Sequence, residues 1–510
     1  MKNWTRKEFL KTSILGGSAA VIAGRTRIYG ATAPEAGSAN GDVRIACAGI
    51  NAQGNGHMRD YLTGKIKGAR LVAICDADDA VLTRRQADCQ KEGNNVATYR
   101  DIRKLLDDKN VDAVVMAPPN HWHSLMTIWT LQAGKDVYVE KPLSHNIWEG
   151  RQAVEAARKY SKQIVQAGTQ NRSSQDIKEA IEFIKSGQLG KIQWVRGTCY
   201  KPRDSIGKTE GPQAIPASVD YELWTGPADL TPPRRNGPKG PIHYDWHWFW
   251  NYGGGDISNQ GIHQVDVARW MLGAEGLPTD VQSFGGRFGY RDDAETPNTL
   301  VSVFNYKNSP PMIFEVRGLG RSKGMKAMDV YRGGSSIGVF VQCEGGYVTV
   351  SEAGTAVIYG NDKKVIKKLA ANTLGTHRQN FVDAVRARKQ EIANGKIENS
   401  HYSTALCHPG NISYRVGAEK QDAAIADAIK NSEPAKEAYG RMVEHLKANE
   451  VDFAATPAML GPVLKIDGAK EMFSGSDPCV AKANNSPLRK REGRGAFKVP
   501  AMQSGTVAAS

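Results

Sequence analysis

Glu140-Lys141-Pro142 follows directly on a short strand-like run, Asp136–Val139. Lys141 therefore stands where a strand delivers its side chain to the carboxyl edge of a sheet. A lysine held there accepts a proton from a hydroxyl once burial or nearby positive charge lowers its pKa. Neighbouring strand residues point to opposite faces, so a surface ion pair between Lys141 and Glu140 is the poorer reading. A second candidate lies in Gly253-Gly254-Gly255-Asp256-Ile257-Ser258-Asn259-Gln260-Gly261-Ile262-His263-Gln264-Val265-Asp266. If this segment is helical, Asn259 and His263 stack one turn apart on one face. Asn259 can orient a hydroxyl but cannot be a general base. Asp266 either orients His263 or pairs with Arg269 on the helix surface.

These groups need elements to hold them. Val43–Ala48 reads as a buried strand, Gly49-Ile50-Asn51-Ala52-Gln53-Gly54-Asn55-Gly56 as a glycine-rich turn, and the stretch from about His57 to Leu62 as helix. A second strand, Leu71–Cys75, ends at Asp76, 27 residues after Gly49. Strand, glycine turn, helix, strand and acidic residue form a Rossmann opening, the start of a dinucleotide-binding fold. Gly49 permits the tight turn and Gly54 the close approach of helix to strand, while free amides at the helix start can hold a pyrophosphate. Asp76 can accept hydrogen bonds from ribose hydroxyls and would repel a 2′-phosphate, which favours NAD over NADP. The second glycine of GxGxxG is replaced by Asn51, whose side chain is expected to crowd the phosphates. The next strand, Val111–Ala117, ends in Pro118-Pro119-Asn120-His121-Trp122-His123 and a helix running to about Ala133. Three strand ends carrying Asp76, Pro118–His123 and Lys141 thus point at one crevice.

Beyond residue 168 the strand-like runs lose their helix alternation. Ile192–Tyr200, Asp280–Phe288, Thr299–Tyr306, Met312–Val316, Ile337–Cys343 and Tyr347–Ser351 predict an antiparallel sheet. Asp245-Trp246-His247-Trp248-Phe249-Trp250-Asn251-Tyr252 lies just upstream of the Asn259–His263 segment. Five aromatics in seven residues cannot all face one core, so at least one is expected to line a pocket, where aromatic faces stack on sugar rings.

The turn ending in Gly56-His57, Ala117–His123, Gly134–Pro142, Gly168-Thr169-Gln170-Asn171-Arg172, Gly253–Trp270 and the helix-like His377–Arg388 together resemble the Gfo/Idh/MocA oxidoreductases, from about residue 42 to 415. The resemblance implies an α/β chain: an N-terminal Rossmann domain (42–168) and an α+β domain (169–415) with a large, open, mostly antiparallel sheet. Residues 416–510 form an extension. The resemblance further implies an NAD(P)-dependent oxidoreductase acting on a CH–OH group of a sugar or polyol, with tightly bound NAD and a homo-oligomer formed through the second sheet. Lys141, His263 and Asn259 become the catalytic residues. Gly49, Ile50, Asn51, Gln53, Gly54, Asp76, Pro118, Asn120, His123, Glu140, Lys141 and Gln170 become the coenzyme contacts. His121, Trp122, Arg172, Tyr200, Trp248, Asp256, Asn259 and His263 become the substrate contacts, and no metal is needed. The alternatives are an NAD-dependent glycosidase or lyase that oxidises a ring carbon transiently, and a non-enzymatic sugar-binding protein.

The net charge of +14 over 510 residues raises the question of a nucleic-acid partner, but residues 1–30 and 482–498 contribute +5 each and leave only +4 for the rest. A basic leader and a basic tail account for the excess. The leader (1–33, then a linker at 34–41) has a charged start, a short apolar stretch Thr12–Gly24 and Ala31-Thr32-Ala33 as a cleavage site. That is the pattern of a signal peptide, by a Sec route or a twin-arginine-like one, since Thr5–Lys11 carries Lys7 where a second arginine belongs. Export to the periplasm follows as an expectation, with no integral membrane segment in the mature chain. Seven scattered cysteines form no CxxC pair and suggest neither a disulfide framework nor a zinc site. The last residues, 480–510, are expected to wrap a neighbouring subunit or to stay disordered.

Overall fold

The computed structural model describes residues 41–234, 240–370 and 374–502. The expected signal peptide and cleavage site lie outside the described residues.

Short, mostly buried apolar runs make the first sheet, with the exposed β3 at its edge. β1 (Val43–Ala48), β2 (Ala69–Cys75), β3 (Ala97–Tyr99), β4 (Ala113–Met116), β5 (Asp136–Val139) and β6 (Val165–Ala167) pair in parallel in the order β3-β2-β1-β4-β5-β6. Parallel strands need crossovers, and helices such as Gln53–Leu62, Asp79–Lys91 and His123–Gln132 supply them on both faces. The order reverses between β1 and β4, and at such a switch point the strand ends open a crevice.

The second sheet is larger than expected. β7 (Ile192–Tyr200), β8 (Asp280–Gly286), β9 (Thr299–Tyr306), β10 (Ser309–Arg317), β11 (Ile337–Cys343), β12 (Gly346–Ser351), β13 (Ala356–Gly360) and β14 (Val365–Leu369) are joined by β15 (Ala418–Lys420), β16 (Ala458–Leu460), β17 (Leu464–Asp467) and β18 (Met472–Ser474). Every pairing in it is antiparallel except β7 with β10. Gln175–Lys185, Gly261–Leu272 and Ile397–Val416 cover one face, where Ile181, Val265 and Leu406 meet Val195, Phe304 and Phe314. The other face is not left open. Ile425, Ile429, Tyr439, Met442 and Leu446, from helices Asp422–Ala428 and Glu433–Ala448 and the residue after the first, seal Phe284, Val301, Val303 and Ile313.

The tail was expected to reach a neighbour or stay disordered; through residue 502 it instead packs on its own chain. Ile147 and Trp148 donate backbone hydrogen bonds to Leu488 and Arg489, and Arg491 grips Glu149 through Nε (2.6 Å) and Nη2 (3.1 Å). Arg494 pairs with Glu222, and Phe497, 5% exposed, packs edge-on against Trp122 at 5.5 Å between ring centres. Arg491 and Arg494, two of the tail's basic residues, are thus fasteners. Phe497→Ala removes this anchor and is expected to cost about 3 kcal/mol, read from a urea midpoint. Limited proteolysis should then cut near residue 490 first. Unchanged stability and protease resistance would contradict the anchoring role.

Candidate active site

The turn after β1 has its conformation forced by contact. Gly49 sits at φ +72°, and a Cβ there would lie 2.5 Å from the Pro118 nitrogen; one on Gly54 would lie 1.8 Å from the Gly49 oxygen. Helix Gln53–Leu62 therefore starts hard against the strand. Ala52 at its N-cap offers no side chain to the first amides, and no acidic residue sits in the first turn. Those amides are left for an anion, as a pyrophosphate requires. Asn51, expected to crowd the phosphates, is drawn aside: its Oδ1 accepts from Arg84 Nη2 at 2.8 Å.

Asp76 is fixed by two backbone amides, accepting from Ile50 (2.9 Å) and Asp78 (3.2 Å). Burial pushes its carboxyl up to about 6, against the pull of those amides. A cleft of ≈ 330 Å³ runs from Asp76 and Arg100 past Gly49, Asn51, Gln53, Pro118 and Asn120 to Glu140, Lys141 and Asn259. It is roofed by Trp224, Ile242, His243, Tyr244, Trp246 and His247. The roof is tied to the end of β2: Asp220 N–H donates to the Ala77 carbonyl at 2.9 Å, and His243 Nε2 lies 2.9 Å from Asp78 Oδ2. An adenosine-ribose acceptor at one end, uncapped helix amides in the middle and a lysine at the other end fit a dinucleotide laid along the cleft.

At the lysine end Glu140 is the hub. Its Oε1 lies 2.9 Å from His57 Nε2 and accepts from Gln170 Nε2 at 3.0 Å; its Oε2 accepts from the Lys141 backbone N–H at 3.0 Å. Burial alone would raise this carboxyl, but the His57 hydrogen bond and the Lys141 charge hold it at about 2. Glu140 thus stays ionised. Lys141 Nζ points the other way and donates to the Asn259 carbonyl at 3.0 Å. Burial lowers the Lys141 pKa, and the positive charges of Lys201 and Arg203 lower it further against the opposing pull of Glu140 and Asp256. That is the tuning a proton-accepting amine needs. Burial and the neighbouring Lys141 charge bring His263 down to about 3, so at neutral pH it is an uncharged imidazole.

The continuous helix expected through Asn259 and His263 is broken. One short helix spans Gly255–Ser258 and the next Gly261–Leu272, with Asn259 between them at φ −81°, ψ −77°. The second helix opens in a close approach at Gly261, where a Cβ would meet the Asp256 oxygen at 2.8 Å and the Phe314 ring at 2.9 Å. Asn259 and His263 are therefore not stacked on one face; the break instead frees the Asn259 carbonyl to receive Lys141.

Several expected contacts are engaged elsewhere. His121 is fully buried with Nε2 3.0 Å from the Trp224 carbonyl oxygen, and burial brings its pKa to about 3. Trp122 lines the cleft wall, but its indole N–H donates to that same carbonyl at 3.0 Å. His123 has a ring nitrogen against each of two carbonyls, Pro142 at 2.5 Å and Pro118 at 2.9 Å, so it ties two strand ends together. Arg172 makes a forked bond to Asp266, at 2.8 and 2.7 Å, which displaces both readings of Asp266. Tyr200 is in the core, donating to Glu315 Oε2 at 2.5 Å. Trp248 is buried under the Arg203 guanidinium, 4.9 Å from its ring centre. Asp256 is near Lys141 but holds Arg203 with both oxygens, at 2.8 and 2.5 Å. Of the aromatic run, Trp246 is the tryptophan that reaches the cleft. Sequence reasoning missed His57, Lys201, Arg203, His243 and Gln260. Of these, His57 carried a signal, as a polar residue on the buried face of its helix. No group of three or more metal-ligating side chains occurs among the described residues.

A Rossmann-type parallel sheet with a lysine at its crevice is followed by a large, mostly antiparallel second sheet. A family model described as an oxidoreductase family NAD-binding Rossmann fold matches residues 43–169, and its C-terminal alpha/beta domain matches 173–284. Over those residues the chain matches the models of the Gfo/Idh/MocA family. Inositol 2-dehydrogenase of Salmonella paratyphi B is 29% identical over 181 residues, 36% of this chain and 52% of that protein. Glycosyl hydrolase family 109 protein 2 of Shewanella sp. strain ANA-3 is 32% identical over 165 residues, 29% of this chain and 36% of that protein. The chain thus spans about half, or less, of these relatives' length. The WlbA dehydrogenase of Bordetella pertussis, solved in complex with NADH and UDP-GlcNAcA, shares the fold with a TM-score of 0.53 at 18% identity, covering 73% of this chain and 97% of that one.

Proposed function

We propose that this protein oxidises a CH–OH group of a sugar or polyol, using NAD. The observation that carries this reading is the Lys141 amine, its pKa lowered by burial and held on the Asn259 carbonyl, at the end of the cleft that begins at Asp76. A bound nicotinamide supplies the hydride acceptor. Lys141 takes the hydroxyl proton as the carbon gives up its hydride, and the uncharged His263 hydrogen-bonds the same oxygen. Glu140, ionised and held by Gln53, His57 and Gln170, fixes the Lys141 backbone. The roof excludes water from the transfer. Asp76 supports NAD over NADP, because a carboxylate there repels a 2′-phosphate.

A transient-oxidation glycosidase is the second reading, favoured by the 32% identity to a family 109 glycosyl hydrolase protein. Both readings use Lys141 at the oxidised carbon. Purified protein should be incubated with NAD or NADP and sugars, and separately with nitrophenyl glycosides. NADH accumulation supports the dehydrogenase; aglycone release without net NADH supports the glycosidase. Failure to bind either nucleotide removes both and leaves a sugar-binding protein. Tight coenzyme retention would suit the periplasmic location proposed from the leader. A homo-oligomer would have to use the part of the second sheet beyond the covering helices, where Trp194, Phe340, Tyr347 and Tyr359 stack in a row at 4.7–5.4 Å.

A further inference from the structure

Two ammonium groups are anchored on consecutive residues at the helix break. Lys141 Nζ donates to the Asn259 carbonyl at 3.0 Å, and Lys201 Nζ donates to the Gln260 side-chain oxygen at 2.9 Å. Lys201 is the first residue after β7, and Arg203 follows two residues later on the extended chain. Arg203 is neutralised by its fork to Asp256 and also donates to the Tyr244 hydroxyl at 3.0 Å. Lys201 has no such partner. Among the described residues no carboxylate pairs with it, and the bond it makes is to a neutral amide. Gln260 is also the N-cap of the twelve-residue helix Gly261–Leu272, and no side chain caps that helix. The positive end of the helix therefore faces the same spot.

Glu140 and Asp256 offset the Lys141 charge, but the half-buried Lys201 ammonium, bonded only to a neutral amide, is an incomplete charge arrangement. A neutral sugar would leave it incomplete. A carboxylate would complete it, taking the Lys201 ammonium on one oxygen and the Gln260 amide N–H on the other. We propose that the substrate is an acidic sugar, of the uronate or aldonate class, and that Lys201 selects it by binding its carboxylate. This rests on the oxidoreductase reading and adds the substrate class. A single ammonium and one amide match the charge of one carboxylate better than that of a dianionic phosphate.

The test uses the full-length protein loaded with nucleotide. Matched pairs such as glucuronate and glucose, or galacturonate and galactose, are compared by calorimetry and by NADH formation, with glucose 6-phosphate as a third arm. The acidic member is expected to bind at least about 10-fold more tightly. Lys201→Gln should remove that preference by raising KM for the acid relative to the neutral sugar, with both compared on the pH plateau, where the change that losing the Lys201 charge makes to the Lys141 pKa no longer affects turnover. Lys201→Arg should keep most of it. The inference is overturned if no acidic sugar outbinds its neutral partner, or if glucose 6-phosphate outbinds glucuronate. It is also overturned if Lys201→Gln only displaces the pH profile of turnover, which would make Lys201 a tuner of Lys141 alone. NADH formed equally well from neutral sugars would sink this inference and leave the oxidoreductase reading standing. Loss of nucleotide binding in the native protein would remove both.

Discussion

Lys141→Met is expected to lower kcat for NADH formation by about 10²- to 10⁴-fold, the range that a positioned general base contributes. Nucleotide binding should survive, because the contacts proposed for the pyrophosphate and ribose are the Gln53–Leu62 helix start and Asp76, away from Lys141 along the cleft. The wild-type pH profile fixes the sign. The base is the neutral amine, so kcat/KM should rise with pH and level off once the ammonium has lost its proton. Burial and the Lys201 and Arg203 charges place that inflection below the ordinary lysine value. His263 cannot account for the same limb, since its imidazole is already uncharged above about 3. In Lys141→Met the limb should vanish along with the rate. Full turnover in this variant, or an unchanged inflection with the rate merely scaled down, would place the base elsewhere. Lys141→Arg separates charge from basicity: it keeps a cation near Asn259 but cannot give up a proton at accessible pH, so it should be as slow as the methionine variant.

What the sequence disclosed, and what it withheld, divides along the range of the interactions involved. β1, β5, β7, β9 and β11 lie where alternation and apolar runs put them, because each strand is specified by its own residues. The glycine turn and Asp76 were legible for the same reason: Gly49 and Gly54 answer to contacts within one strand–turn–helix unit and its neighbouring strand. The errors lie at partners far along the chain. Tyr200 looked like a pocket residue, but Glu315 and Arg441, 115 and 241 residues away, claim its hydroxyl. The helix break at Asn259 comes just before Gly261 packs against the Phe314 ring of another strand, a close approach that no local pattern announces. The tail carries a charge excess that reads as disorder until Glu149, Glu222 and Trp122 are seen beneath it. Catalytic candidates at strand ends could be read because the topology brings strand ends together, whereas substrate candidates on loops depended on tertiary contacts.

The same long-range logic makes Arg172 the residue whose loss should cost the most stability. Its fork to Asp266 joins the loop after β6 to the helix that carries His263, with side chains only 9% and 1% exposed. Ser403 adds a third bond to Asp266 at 2.6 Å, and the Arg172 guanidinium lies over the Trp270 ring at 4.5 Å. Burial would raise the Asp266 carboxyl, but the Arg172 charge and hydrogen bonds outweigh it and hold it below the usual range. Arg172→Met leaves that carboxylate buried with a single hydroxyl and the more distant Arg269, and should destabilise the protein by about 3–5 kcal/mol at pH 7. The pH dependence identifies the cause. In the wild type the folded pKa of Asp266 is depressed, so its contribution is present above the unfolded value and lost as pH falls through the lower folded one. In Arg172→Met the folded pKa rises above the unfolded value, so the variant loses stability as pH rises through that interval. The gap between the two proteins should therefore narrow below about pH 4. Asp266→Asn in the Arg172→Met background should recover much of the loss, because the uncompensated charge is then gone. Urea denaturation across this pH range measures all three proteins. A gap under about 1 kcal/mol at pH 7, or one that does not change with pH, would show that the fork is not what holds the His263 helix against the dinucleotide domain.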